Sequence, residues 1–317
     1  MTARAAFSAP GKLMLFGEYA VLHGEPALAA CFDRQIRCSA EAGGDALVFD
    51  APELLDEVVR LPLSALDAEA PFPELRLLWP LLSRAAPALD GLRLRFDATF
   101  PPTWGLGSSS ASTLAAVAAV RALLGESPSD LALFREARGL QRRLQGRASG
   151  YDAATQLLGG VVWFQDADAL TLERVSGPAL PLRVAYTGAK ASTTKMIGSV
   201  TERFPPGSAI YGRIGDLCRD GRALIEGGDL AGLGAAMNAG HALLAELGAV
   251  SDAQAAAMAR LQAVPGVLGA RMCGAGGGDC VLLLAPDPDA AAHAADTVGW
   301  ELLPLSFTER GLREEAP

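Results

Sequence analysis

The sequence predicts an α+β fold in two lobes, residues 1–180 and 181–317. Three observations carry this reading. Short apolar or alternating segments bounded by turn residues crowd the first hundred positions, as strands do. Ala- and Leu-rich helical runs open directly after glycine-rich turns. A fresh strand at Leu182–Tyr186 then begins a second series of helices and strands.

In order along the chain, 13–16, 36–40 and 46–49 read as strands, followed by the alternating Leu92, Leu94 and Phe96. After Pro101 and Pro102 the turn GLGSSS leads into an Ala-rich helix closed by Gly125. Ser129 or Asp130 is placed to cap a helix running to about Leu144, and 161–164 is a short strand after Gly159 and Gly160. In the second half, helices are expected over about 210–247 and 252–264, then a glycine-rich turn and a hydrophobic strand.

The 317 residues suffice for a large core, and half of them are hydrophobic, which excludes disorder. A net charge of −9 provides no global basic field for nucleic acid or an anionic membrane, so anionic ligands require local cationic pockets. No apolar run reaches membrane-span length, and the first residues lack the pattern of a secretion signal. The five cysteines form no CxxC pair, and the three histidines lie far apart in sequence. Neither a disulfide framework nor a structural zinc site is expected, and a reducing cytoplasm is the simplest home.

Three glycine-rich segments concentrate the chemistry. In WGLGSSS, Trp104, Gly105, Leu106 and Gly107 precede Ser108, Ser109 and Ser110 at a helix start, where backbone N–H groups and the helix dipole favour an anion. The same serines read equally well as an N-cap. GAGGGD packs four glycines into residues 274–278, a density that suits close backbone approach or a tight turn. PGKLMLFGEYAVLHGEPALA sets Lys12 at a strand start, with Glu18 beyond it; taken alone, it reads as a surface hairpin.

Together these segments, in this order, resemble the three motifs of the GHMP kinases, the group of galactokinase, homoserine kinase, mevalonate kinase and phosphomevalonate kinase. The resemblance implies a two-lobe fold that uses ATP and Mg²⁺, with the nucleotide on the second motif and the acceptor between the lobes. By that resemblance Lys12 and Asp152, in QGRASGYDAATQLLGG, are catalytic, and Glu18 and the 104–110 segment bind ATP. Ser108 or Ser109 then ligates the metal. Without the family, Asp152 would read as the cap of a helix starting at Ala153. One departure stands out: Gln141 occupies the place where mevalonate kinases carry a metal-binding glutamate.

Within the family, GEYAV, Asp33-Arg34, QGRASGYDAA, TGAKASTTKMI and GGGDC resemble the branch that phosphorylates 5-phosphomevalonate; LFGEYAVLHGEPALA and the short length resemble the mevalonate branch. The expected acceptor is 5-phosphomevalonate, with mevalonate as the alternative and a non-catalytic sensor of the same fold as a third reading. Tyr19, His23, Arg147, Ser149, Gly276 and Gly277 are assigned to the acceptor. Lys190, Ser192, Thr193, Thr194 and Lys195 offer a donor set for its phosphate, or a solvated loop. Trp104 is placed either to stack near the adenine or to pack, and His241 either to line the acceptor cleft or to sit in the core. A small-molecule substrate, no nucleic acid or membrane partner, and a homodimer complete the expectations.

Overall fold

The computed structural model describes residues 3–67, 69–146, 148–188, 193–276, 278 and 280–316. Its first half contains strands β1 (Arg4–Phe16), β2 (Ala27–Ala42), β3 (Ala46–Asp50), β4 (Val59–Pro62), β5 (Leu92–Ala98), β6 (Val161–Asp166) and β7 (Leu170–Arg174). Helices α1 (Trp79–Ala88), α2 (Ser108–Leu123), α3 (Asp130–Gln145) and α4 (Tyr151–Leu158) accompany them. The second half holds β8 (Leu182–Tyr186), α5 (Thr193–Arg203), α6 (Ala209–Gly227), α7 (Leu230–Glu246), α8 (Asp252–Gln262), β9 (Gly269–Met272), β10 (Cys280–Leu284), α9 (Pro288–Val298), β11 (Glu301–Leu302) and β12 (Arg313–Glu315).

The first sheet runs β12-β1-β2-β5-β3-β4, with β6 pairing the start of β2 on the edge away from β1 and β7 pairing β6; the second is antiparallel in the order β11-β8-β10-β9. The change of sheet falls between β7 and β8, around residue 180. The tail is the exception, because β12 returns to pair antiparallel with β1 and Ser8 donates to Glu315 across that edge at 2.6 Å.

Strand β1 explains much of the architecture. Its residues are buried along nearly the whole length, so it reads as a continuous apolar strand and not as an alternating one. Its pairing with β2 slips after Pro10, where Gln35 opposes Pro10 but Phe32 opposes Gly11. The slip puts Asp33 and Arg34 into a bulge. Asp33 there accepts from the Ser306 N–H and Arg34 donates to the Pro304 carbonyl, so this pair anchors the C-terminal tail. Just past the bulge, the Lys12 N–H donates to the Leu106 carbonyl, tying β1 to the turn before α2.

Helix α2 is Ala-rich and buried along most of its length against β1 and β2, small side chains permitting a close approach. Residues 210–247 form two helices instead of one run. Gly228 adopts a left-handed cap after α6, and Asp229 caps α7 by accepting from the Gly232 N–H. No helix among the described residues is long and apolar enough to cross a membrane.

Candidate active site

Asp152 and the start of α2 line one cleft of about 250 Å³, and Lys12 lies behind that wall, in contact with Asp152. Its walls include Glu18, Tyr19, Gly107, Ser109, Ser110 and Gln141, together with Ser149, Tyr151 and Asp152. Lys12 Nζ lies 2.5 Å from Asp152 Oδ1 and donates to the Tyr151 hydroxyl at 3.3 Å. Burial is the largest single influence and opposes the Lys12 charge, but Asp152 and Tyr151 together outweigh it and hold the ammonium well above its ordinary pKa. Lys12 therefore stays cationic throughout the physiological range.

The capping alternatives fail at both helix starts. The N-cap of α2 is Gly107, in left-handed conformation at φ 76°, with no side-chain cap; the N-cap of α4 is Gly150, also left-handed and uncapped. Asp152 is thus inside α4, and its carboxylate meets Lys12 instead of a backbone N–H. Two helix N-termini border this cleft, the Tyr151 N–H of the second donating to Ser149 Oγ at 3.4 Å, and the Lys12 ammonium lies buried behind them against Asp152. Gly107 is required by space as well as conformation, since a Cβ there would come within 2.5 Å of Lys12 Cε.

Supports behind the cleft fix these parts. Gln156 donates to the Gly107 carbonyl at 3.1 Å, linking α4 to the start of α2. Arg142 donates to the Ala148 carbonyl and, with Arg138, grips Asp166, steadying the approach to α4. Glu18 sits on the wall of the cleft, but its Oε2 is bound by Arg271 at 2.5 Å and its Oε1 is buried without a hydrogen-bond partner among the described residues. Burial pushes its carboxyl up from the ordinary range, with Arg271 opposing. Tyr19, at φ 63°, spends its hydroxyl on the Ala275 carbonyl and so fastens the first glycine segment to the third.

A second cavity of about 240 Å³ adjoins the cleft through Ser108 and Ser109. Phe49, Leu78, Phe96 and Phe100 make it apolar. Ser109 belongs to both cavities, so the start of α2 separates the chamber lined by phenylalanines from the cleft that holds Asp152.

Several sequence assignments fall elsewhere. Trp104 lines neither cavity; its ring packs against the core and its carbonyl accepts from Cys280 Sγ, so the packing reading holds. Gly105 is a left-handed turn residue and Leu106 is buried, its carbonyl spent on Lys12. His23 stacks on Tyr211 with centroids 4.1 Å apart, bracing the turn after β1 against α6. Gly276 is left-handed and closes on the Ala249 carbonyl, where a Cβ would clash. His241 lies in the core beside Arg271 and lines neither cavity; burial and the Arg271 charge push its pKa down to about 4. Arg147, Lys190, Ser192 and Gly277 lie outside the described residues, and Thr193, Thr194 and Lys195 open α5 with side chains outside the description. Tyr151, Gln156 and Arg271 were missed by sequence reading. An aromatic between the Ser-Gly turn and the aspartate was the available sign for the first.

The chain is similar along nearly its whole length to known proteins. The model for the GHMP kinases N-terminal domain matches residues 75–160, and that for the C-terminal domain matches 222–299. A mevalonate kinase of Aeropyrum pernix is 30% identical over 99% of both chains. The chain belongs to the GHMP kinases. Among other GHMP kinases, a mevalonate kinase of Thermococcus onnurineus is 29% identical over 98% of both chains. A solved Streptococcus pneumoniae phosphomevalonate kinase, in complex with phosphomevalonate and AMPPNP, shares the fold with a TM-score of 0.79 at 19% identity, covering 97% of this chain and 99% of that one. This GHMP kinase is an ATP-dependent kinase of the mevalonate pathway with a small-molecule acceptor.

Proposed function

We propose that this kinase transfers the γ-phosphoryl group of ATP to 5-phosphomevalonate, giving 5-diphosphomevalonate and ADP. The observation that carries the reading is the charge layout of the cleft: a buried ammonium behind two helix starts suits an acceptor that is itself an anion. An acceptor phosphate is largely ionised at neutral pH, since its second pKa is near 6. Its oxygen attacks the γ-phosphorus, the bond to the β–γ bridging oxygen breaks, and no proton has to be removed. Lys12 neutralises charge at the transferred group and Asp152 holds Lys12 in place. The Asp33-Arg34, GEYAV and GGGDC resemblances support the same acceptor.

In this reading the triphosphate lies along the start of α2 at Ser108, Ser109 and Ser110, and the apolar cavity takes the base. Ser149, Arg147 and the Lys190, Ser192, Thr193, Thr194 and Lys195 set are assigned to the acceptor, as are Gly276 and Gly277. The donor set fits Mg²⁺: the Ser110 hydroxyl is buried without a hydrogen-bond partner among the described residues, and Ser109 and Gln141 line the same cleft. These are neutral oxygen ligands, so the nucleotide phosphates supply the anionic part of the shell. When bound, Mg²⁺ neutralises charge on the phosphates.

A second reading, phosphorylation of the mevalonate hydroxyl, is favoured by the curated relatives, which bear the name mevalonate kinase over nearly their whole length. There Asp152 accepts the hydroxyl proton. ADP release with ATP and Mg²⁺, assayed in parallel with mevalonate and 5-phosphomevalonate, separates the two. Turnover of phosphomevalonate alone is expected; turnover of mevalonate alone replaces the first reading with the second, and silence with both favours a ligand sensor. Asp152→Asn is expected to reduce turnover of a phosphate acceptor less severely than that of an alcohol.

A further inference from the structure

We propose that the Tyr151 hydroxyl donates a hydrogen bond to the phosphoryl group in transit, making Tyr151 a catalytic residue beside Lys12. The inference rests on the phosphoryl-transfer reading above but not on which acceptor is used.

The argument is one of hydrogen counting. A phenol carries one hydrogen and two lone pairs, whereas an ammonium has only hydrogens to give. In the 3.3 Å contact Lys12 Nζ must therefore donate and Tyr151 must accept. The hydroxyl's own hydrogen remains, and among the described residues no acceptor takes it. Tyr151 lines the cleft as the first residue of α4, immediately before Asp152. Burial, reinforced by the Asp152 charge, pushes the phenol above its ordinary pKa, so it remains a donor at working pH.

The geometry also selects the recipient. Lys12 Nζ lies 5.1 Å from the centre of the Tyr151 ring as well as touching its hydroxyl, so ammonium and hydroxyl form one cluster of donors. A hydrogen bond from a phenol whose lone pair is bound to an ammonium is strengthened by that polarisation. Such a cluster matches an oxygen on which negative charge accumulates, and in phosphoryl transfer that charge is spread over the equatorial oxygens of the moving group.

Tyr151→Phe isolates the claim because it keeps the ring, its packing and its attraction for Lys12, and removes only the O–H group. The decisive measurement is the affinity of ADP with Mg²⁺, alone and with fluoroaluminate as a stand-in for the group in transit. ADP alone is expected to bind both proteins within about twofold. The additional tightening by fluoroaluminate is expected to fall at least about tenfold in the variant, the loss typical of a hydrogen bond to a charged group. With whichever acceptor the wild type uses, kcat should fall by a similar factor while KM for ATP and Tm hold. Equal tightening in both proteins overturns the proposal, as does no tightening in the wild type or a joint collapse of ADP affinity and Tm in the variant. A wild type silent toward both acceptors, with tightening still lost in Tyr151→Phe, defeats the acceptor assignment and leaves the role of Tyr151 standing.

Discussion

Two ion pairs grow from the end of β1, and they differ in what surrounds them. Lys12–Asp152 and Glu18–Arg271 are each closed at 2.5 Å, and Lys12 and Glu18 stand six positions apart. In the first pair the lysine side chain is 8% exposed and the aspartate 30%; in the second, the arginine is 2% and the glutamate 3% exposed. The first carboxylate faces a cleft and water, so the pair can be rearranged when an anion arrives. The second is almost wholly enclosed between β1 and β9, Glu18 only edging the cleft wall, with the Arg271 guanidinium over the Phe16 ring and no room at Gly240 for a Cβ beside it. A buried charge whose partner is 30% exposed suits chemistry, whereas a pair almost wholly enclosed serves the join between the two lobes.

The largest effect is expected at the open pair. Lys12→Met should lower kcat about a thousandfold, the scale on which a preorganised charge at a developing anion acts. Tm should move by only a few degrees, because the Asp152 left behind is partly in water. Steady-state kinetics alongside a thermal melt checks this. If Tm collapses, the pair is holding the fold and the contrast with Glu18–Arg271 disappears.

Next in size is the sealed pair, where the loss should appear as stability. Arg271→Met strands the Glu18 carboxylate and is expected to cost about 3–5 kcal/mol, whereas Glu18→Gln combined with Arg271→Met should recover much of it. The pH dependence has a definite sign. Burial already raises the folded-state pKa of Glu18, and removing Arg271 raises it further, so the folded variant retains a proton that the unfolded chain loses above about 4.5. Stability of Arg271→Met should therefore be better at pH 5 than at pH 8. Urea unfolding at the two pH values sharpens the comparison if the variant recovers in acid, and breaks it if the loss is the same at both.

The two pairs also differ in how legible they were. Lys12 and Asp152 stand one and two residues after a glycine, Gly11 and Gly150 respectively, in segments whose composition advertises close backbone approach, and the structure brings them together. Glu18 was assigned to ATP, but its partner Arg271 lies 253 residues away in a strand that reads as plain core. Nothing in local periodicity reports such a contact. Strands β1 and β2 were seen only as fragments, since burial on both faces removes the alternation that marks a strand edge. The tail strand β12 was invisible for a related reason: three residues carry no period, and its place is set by the Asp33-Arg34 bulge that grips the segment before it. The helix cap at Ser129, by contrast, follows from local chemistry and appears as an accepted N–H bond.

The smallest expected effect tests whether the sealed region, as distinct from the open one, resists acid. His241 is buried beside Arg271, its Nδ1 has no hydrogen-bond partner among the described residues, and its pKa is pushed down to about 4 by burial and by that like charge. The unfolded chain takes up a proton on this residue near its ordinary value of 6.5, while the folded chain refuses it until far lower. The contribution is thus complete above 6.5 and is lost as pH falls toward 4, with a slope no steeper than about 1.4 kcal/mol per pH unit for one proton. Glu18 on the other side of Arg271 acts in the opposite sense, since its raised pKa favours the folded state in acid and so offsets part of the loss. His241→Gln removes the first term and leaves the second. Its stability should decline less than the wild type's between pH 7 and pH 5, measured by urea unfolding; identical declines would mean that the core around Arg271 admits the proton, and that the seal separating the two ion pairs is looser than their exposures indicate.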